Sequence, residues 1–127
     1  MEFIWDTCAM GTFRVPIEIG KVEDGGYERV EALVDAGATY TLLPREVLER
    51  LGVRPHRDRR FILADGREVS YPTAWVIARI DGEAQPTIVI FGEPGCDPLL
   101  GAVTLEEFGL AADPVGRRLV PVPGLLK

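Results

Sequence analysis

Asp35 stands where an apolar run, Ala32-Leu33-Val34, meets a run of small residues, Ala36-Gly37-Ala38-Thr39. A carboxylate at the end of a buried strand is costly unless it is used in chemistry or satisfied by nearby donors. The small neighbours leave the backbone open to close approach, which suits a place where a peptide or a second subunit comes near. The same residues fit a plainer part, in which Asp35 only opens a turn after a strand, and one D-x-G segment does not choose between the two. A second short run, Pro98-Leu99-Leu100-Gly101, ends an apolar stretch in glycine just ahead of a helical pattern at Ala102 to Phe108.

Other chemistries have little to draw on. His56 is the single histidine and sits in the basic run Arg54-Pro55-His56-Arg57-Asp58-Arg59-Arg60, which reads as a solvated loop able to attract an acidic peptide. A histidine metal site or a catalytic triad would need more. Ser70 is the sole serine and lacks a nucleophile-elbow context. Cys8 and Cys96 are far apart, with neither metal-ligand spacing nor the density of a disulfide framework, so they are expected as reduced thiols in the cytoplasm. Trp5 and Trp75 are expected as core or rim aromatics.

The elements that must position these residues are those of a β-protein. The 14 Gly and 10 Pro punctuate short alternating runs. Thr12 to Gly20 and Tyr27 to Val34 predict a hairpin across Glu23-Asp24-Gly25-Gly26. Further strands are expected at Arg60 to Ala64, Glu68 to Ile80, Ala84 to Phe91 and Arg118 to Val122, with Asp65-Gly66 and Asp81-Gly82 as tight turns. Pro44 to Leu51 predicts a short helix with the proline at its first position and Gly52 as a stop. A second helix over Ala102 to Phe108 is expected to be capped by Thr104 and ended by Gly109. At 127 residues and 46% hydrophobic, the chain is expected to form one β-rich domain over 1–127.

Taken together, the Asp35 segment, the later Leu99-Leu100-Gly101 run and the hairpin between them resemble the retroviral-type (retropepsin-like) aspartic protease family, its bacterial and archaeal single-domain members in particular. There, a strand ending in D-[ST]-G-[AST] is followed later by two apolar residues and a glycine leading into one late helix. The resemblance runs from about Thr12 to Val122. It implies an all-β fold, a closed β-barrel with a short helix after the catalytic strand region and one late helix. It also implies that Asp35 is the catalytic acid, that the Gly37 backbone contacts substrate beside Ala38, and that Thr39 lies in the adjacent pocket. The Ile62 to Ser70 segment, centred on Asp65-Gly66, takes the place of the family's flap, with Ala64, Asp65 and Gly66 expected against substrate, although an ordinary surface hairpin fits it equally well. Ala36, Leu99, Leu100 and Gly101 would support the site.

The mechanism implied is hydrolysis of a peptide or unfolded protein by water held between two carboxylates, with no metal or cofactor. One D-x-G segment per chain implies a symmetric homodimer with the site on its two-fold axis. Two residues depart from the family. Ala36 stands where a Ser or Thr hydroxyl would bond across the dimer, and Ala102 stands where retroviral members carry a charge. They leave a second reading open, a dimeric peptide-binding or assembly module with little activity.

Charge and hydropathy narrow the surroundings. A net charge of -6, from 14 basic and 20 acidic residues, argues against nucleic acid as a partner. Met1 to Asp6 lacks a basic start, and no stretch approaches the roughly 20 apolar residues that span a bilayer. The protein is therefore expected to be soluble, unexported and free of membrane contact.

Overall fold

The computed structural model describes residues 13–124 and 126; Thr12, Cys8 and Trp5 lie outside the described residues. Among the described residues, nine strands and two helices run in the order β1 (Phe13–Gly20), β2 (Tyr27–Val34), β3 (Thr41–Pro44), α1 (Arg45–Arg50), β4 (Arg57–Ile62), β5 (Glu68–Ile80), β6 (Glu83–Gly92), β7 (Leu99–Leu100), α2 (Ala102–Glu107), β8 (Leu110–Asp113) and β9 (Arg118–Pro121). All the expected strands form; Tyr27 to Val34 and Glu68 to Ile80 have the expected bounds, and the ends of β4, β6 and β9 differ from those expected by at most three residues.

β1 and β2 pair antiparallel from Phe13↔Val34 to Gly20↔Tyr27. Alternation along both strands turns Ile17, Ile19, Val30, Ala32 and Val34 inward. β5 and β6 pair from Thr73↔Ile90 to Ile80↔Glu83. Their connection, Asp81-Gly82, has both residues at positive φ (52° and 81°), the conformation that matches a two-residue turn to the twist of its strands. The 13-residue β5 is long enough to serve two neighbours. Its first part pairs with β4, and its last part also pairs with β1, from Glu18↔Arg79 to Gly20↔Ile77. The main sheet has the order β1-β2-β7-β3-β6-β5-β4, and the β1–β5 pairing brings it back on itself. Ile17, Ile19, Leu43, Leu48, Val76, Val89 and Leu100 fill the space so enclosed.

Three strands have no counterpart among the expected elements. β3, β7 and β8 are four, two and four residues long, too short to show a period. In β3, Thr41, Leu43 and Pro44 are all buried, so apolar and polar positions do not alternate along it. β8 and β9 form a separate two-stranded sheet.

The helices need two corrections. Pro44 is the residue before α1, at φ -59° and ψ 140°, and not its first helical residue. Gly52, at φ +77°, ends the turn as expected. Thr104 does not cap α2. Gly101 occupies that place with extended backbone, while Thr104 is buried within the helix, its hydroxyl taken up by partners inside the molecule. The basic run is likewise not a loop throughout, because Arg57 to Arg60 belong to β4. Trp75 is 55% exposed and so lies on the surface.

Candidate active site

Asp35 follows the last residue of β2. Its position is set by β7, which lies parallel to β2 with Leu33 opposite Leu99 and Val34 opposite Leu100. The Leu33 amide donates to the Pro98 carbonyl (2.8 Å) and the Asp35 amide to the Leu100 carbonyl (3.1 Å). The two sequence runs are thus one structural unit. Past the acid the chain turns at once: the Ala38 amide donates to the Asp35 carbonyl (3.0 Å), and the Gly37 amide donates to Asp35 Oδ1 (3.0 Å). Asp35 is half-buried, whereas Ala36, Gly37 and Thr39 are exposed. The acid therefore opens a turn and also presents a carboxylate at the surface of a fixed loop.

The far side of the loop rests on α2. The amides of Ala102 and Val103 donate to the carbonyls of Ala38 and Thr39 (2.8 and 2.9 Å). A β-carbon on Gly101 would sit 2.5 Å from the Tyr40 carbonyl carbon and oxygen. Only glycine lets these two backbones touch.

Beneath the loop runs a buried line of threonines that the sequence did not single out beyond Thr104. Thr41, Thr87 and Thr104 are almost fully buried. The Thr104 hydroxyl lies 2.7 Å from that of Thr41 and 2.8 Å from that of Thr87. Thr87 donates to Glu107 Oε1 at 2.7 Å. Each hydroxyl has one hydrogen, so this last bond sets the direction of the rest. Thr104 must donate to Thr87 and Thr41 to Thr104, leaving the Thr41 oxygen to accept from the Gly101 amide at 3.1 Å. A directed chain of hydrogen bonds thus runs from Gly101, against the acid loop, to the carboxylate of Glu107. Threonine in a strand is ordinary, and no local signal marks Thr41 or Thr87.

The β4–β5 hairpin occupies the region assigned to the flap. Its tip holds itself together: Gly66 takes φ +89°, its amide donates to the Leu63 carbonyl (2.8 Å), and Asp65 accepts from the Arg67 amide (3.0 Å) and guanidinium (2.7 Å). The Arg67 amide, with its guanidinium second, holds the Asp65 carboxyl below the usual range. Ala64, Asp65 and Gly66 are all exposed. The hairpin meets the acid loop lower down, where the Phe61 ring stands edge-on to Tyr40 with centroids 5.8 Å apart.

Among the described residues no group of three or more His, Cys, Asp or Glu side chains is placed to hold a metal ion, and no helix is long and apolar enough to cross a membrane. His56 is exposed, its amide donating to the Thr73 carbonyl. The Cys96 thiol is free and half-buried; burial pushes its pKa up, and Glu46 and Asp97 add to the effect.

A family model described as aspartyl protease matches residues 15–102, a span that begins in β1 and takes in the acid loop, the hairpin and Gly101. The chain belongs to the aspartyl protease family. Its fold is similar to that of the EIAV protease solved with an inhibitor, at a TM-score of 0.59 and 19% identity over 76% of this chain and 86% of that one. It is also similar to the simian foamy virus (mac) protease, at a TM-score of 0.52 and 21% identity over 74% of this chain and 94% of that one. No curated protein matches the chain. The family match and these two structures agree on an all-β, retropepsin-like aspartyl protease fold. The matched span includes the loop where strand pairing holds Asp35, and β8 and β9 lie beyond its end.

Proposed function

We propose that this aspartyl protease family member is an endopeptidase that works as a homodimer, with Asp35 from each subunit at a shared site. The observation that carries the reading is the half-buried Asp35 carboxylate on a loop latched by Leu100, Gly101 and α2. Each chain supplies one such loop. Two carboxylates about 3 Å apart hold one proton between them, so one acts as general base toward water and the other as general acid toward the leaving amine. Gly37, Ala38 and Thr39 would line the bound peptide from below, and the hairpin around Ala64, Asp65 and Gly66 would cover it from above, limiting water. The substrate class is a peptide or unfolded protein with apolar residues at the cleaved bond, met in the cytoplasm.

Ala36 favours a second reading, a dimeric peptide-binding or assembly module. It offers no hydroxyl for a bond across the dimer, and such a bond is worth about 0.5–1.5 kcal/mol, lost twice by symmetry. Within one chain, however, the loop is held by bonds that need no side chain at position 36.

The test is cleavage of unfolded casein from acid to neutral pH by the native chain, Asp35→Asn and Ala36→Thr, with the oligomeric state measured for each. Cleavage by the native chain that disappears in Asp35→Asn supports the endopeptidase. Cleavage only in Ala36→Thr means a protease scaffold disabled at its brace. Silence in all three, with a stable dimer, favours the binding module.

A further inference from the structure

The basic run between Arg54 and Arg60 has no part in the proposed acid chemistry, and the structure divides it between two faces. In β4, exposure alternates so that Arg59 and Phe61 are half-buried while Asp58, Arg60 and Ile62 are exposed. Arg59 lies directly opposite Tyr71 in the hairpin. Its guanidinium carbon stands 5.3 Å from the centre of the Tyr40 ring and 5.9 Å from that of Phe61. Phe61 in turn touches Tyr71, with centroids 6.5 Å apart. Tyr40 is the last residue before β3, on the loop that begins at Asp35. The cation is thus held against aromatic faces at the junction of acid loop and hairpin.

Of the neighbouring arginines, Arg60 is paired with Glu68 at 3.7 Å and Arg67 with Asp65 at 2.7 Å; Arg57, two residues earlier on the same strand, is exposed and stands over no aromatic ring of the described residues. Among the described residues Arg59 has no carboxylate partner. A cation–π contact of this kind takes up none of the guanidinium N–H donors, which pair with a carboxylate in two parallel hydrogen bonds. The rings also fix the side chain, so less entropy is lost when such a pair forms, and their apolar surface strengthens it. A chain of net charge -6 repels acidic peptides at a distance; a fixed, unpaired cation beside the acid loop reverses that locally.

We propose that Arg59, framed by Tyr40 and Phe61, is a specificity subsite that takes an Asp or Glu side chain of the peptide substrate. The assignment rests on the endopeptidase reading and adds its substrate class, a peptide with apolar residues at the scissile bond and an acidic residue nearby. The experiment uses the full chain and a set of peptides sharing one apolar cleavage sequence, with Glu, Gln or Lys placed in turn at each flanking position. At one position the native protein should prefer Glu over Gln by about tenfold in kcat/KM, the size of one charge-assisted hydrogen bond. Arg59→Gln should remove the preference, and Arg59→Glu should turn it toward Lys. Arg60→Glu, on the opposite face, should leave it in place. Equal rates for Glu and Gln at every position, or the same preference in Arg59→Glu, would overturn the subsite. So would an Arg59→Glu variant that keeps its preference but loses its dimer, since Arg59 would then be an assembly contact. If the native protein cleaves none of the peptides, the endopeptidase reading fails separately. The subsite is then decided by fluorescence polarisation of the same labelled peptides, with tighter binding of Glu than Gln supporting it and equal binding overturning it.

Discussion

The hydroxyls of Thr41 and Thr104 meet 2.7 Å apart in the interior, joining the strand that leaves the acid loop to the helix behind it. Both residues are also within reach of a further group, Gly101 for Thr41 and Thr87 for Thr104. The support of the site is therefore polar where the surrounding core is apolar. Such a network is stabilising while every member is satisfied and costly when one is removed.

Thr104→Val keeps the shape but leaves the Thr41 proton without its acceptor and Thr87 without its donor. With the site buried, a loss of about 2–4 kcal/mol is expected. Thr104→Ser keeps the hydroxyl and loses one methyl, costing about 1 kcal/mol. Urea unfolding of both variants should rank Val as the more damaging, and the reverse order would sink the directed chain. At the exposed end, Glu107→Gln keeps an acceptor oxygen and should change stability little.

Gly101→Ala places a β-carbon against the Tyr40 carbonyl. Neither backbone can yield without disturbing the bonds from Ala102 and Val103 to the acid loop. A loss of about 3 kcal/mol is expected, as for overpacking of a tight site. Amide exchange should show faster opening across Asp35 to Tyr40 than across the β5–β6 hairpin.

Asp35→Asn removes the charge but keeps the shape and an oxygen able to accept from Gly37. Stability should change by less than about 1 kcal/mol, while peptide hydrolysis should fall by about 10²–10⁴-fold, the range for loss of a general acid or base. Circular dichroism and casein cleavage on one preparation separate the two effects.

Stability should decline on the acid side. A hydrogen bond from Arg79 holds the Glu18 carboxyl below its ordinary value, and this pair spans the β1–β5 seam. Asp65 and Asp113 are shifted the same way, chiefly by the amides of Arg67 and Gly116. In each case the unfolded chain takes up a proton before the folded one does. The stabilisation is complete above the ordinary carboxylate range and is lost as pH falls through the folded values. The melting temperature should drop between about pH 5 and about pH 2, and Glu18→Gln should make that slope shallower. The effect of this single exposed pair is small.

Much of the architecture could be read from local chemistry. β1, β2, β5 and β6 alternate because one face of each is buried, and Asp81-Gly82 has the residue types that a tight hairpin turn demands. The acid, its small neighbours and the late Leu99-Leu100-Gly101 run were visible as types and order, and their likeness to one family suggested that they belong together. Contacts between distant segments carried no such mark. β7 is two residues long and exists because β2 and β3 flank it. Thr104 looked like a helix cap, since a threonine near a helix start usually is one, but helix packing turned its hydroxyl inward to Thr41 and Thr87. Arg59 looked like one charge of a solvated run until strand alternation set it apart from Arg60 and laid it against Tyr40. The sequence by itself determined which residues could be an acid, a turn or a core strand, because those properties belong to the side chain and its immediate neighbours. Only the tertiary structure decided which carboxylate is latched, which hydroxyls are buried and which arginine stands over aromatic rings, because each depends on what another part of the chain brings into contact.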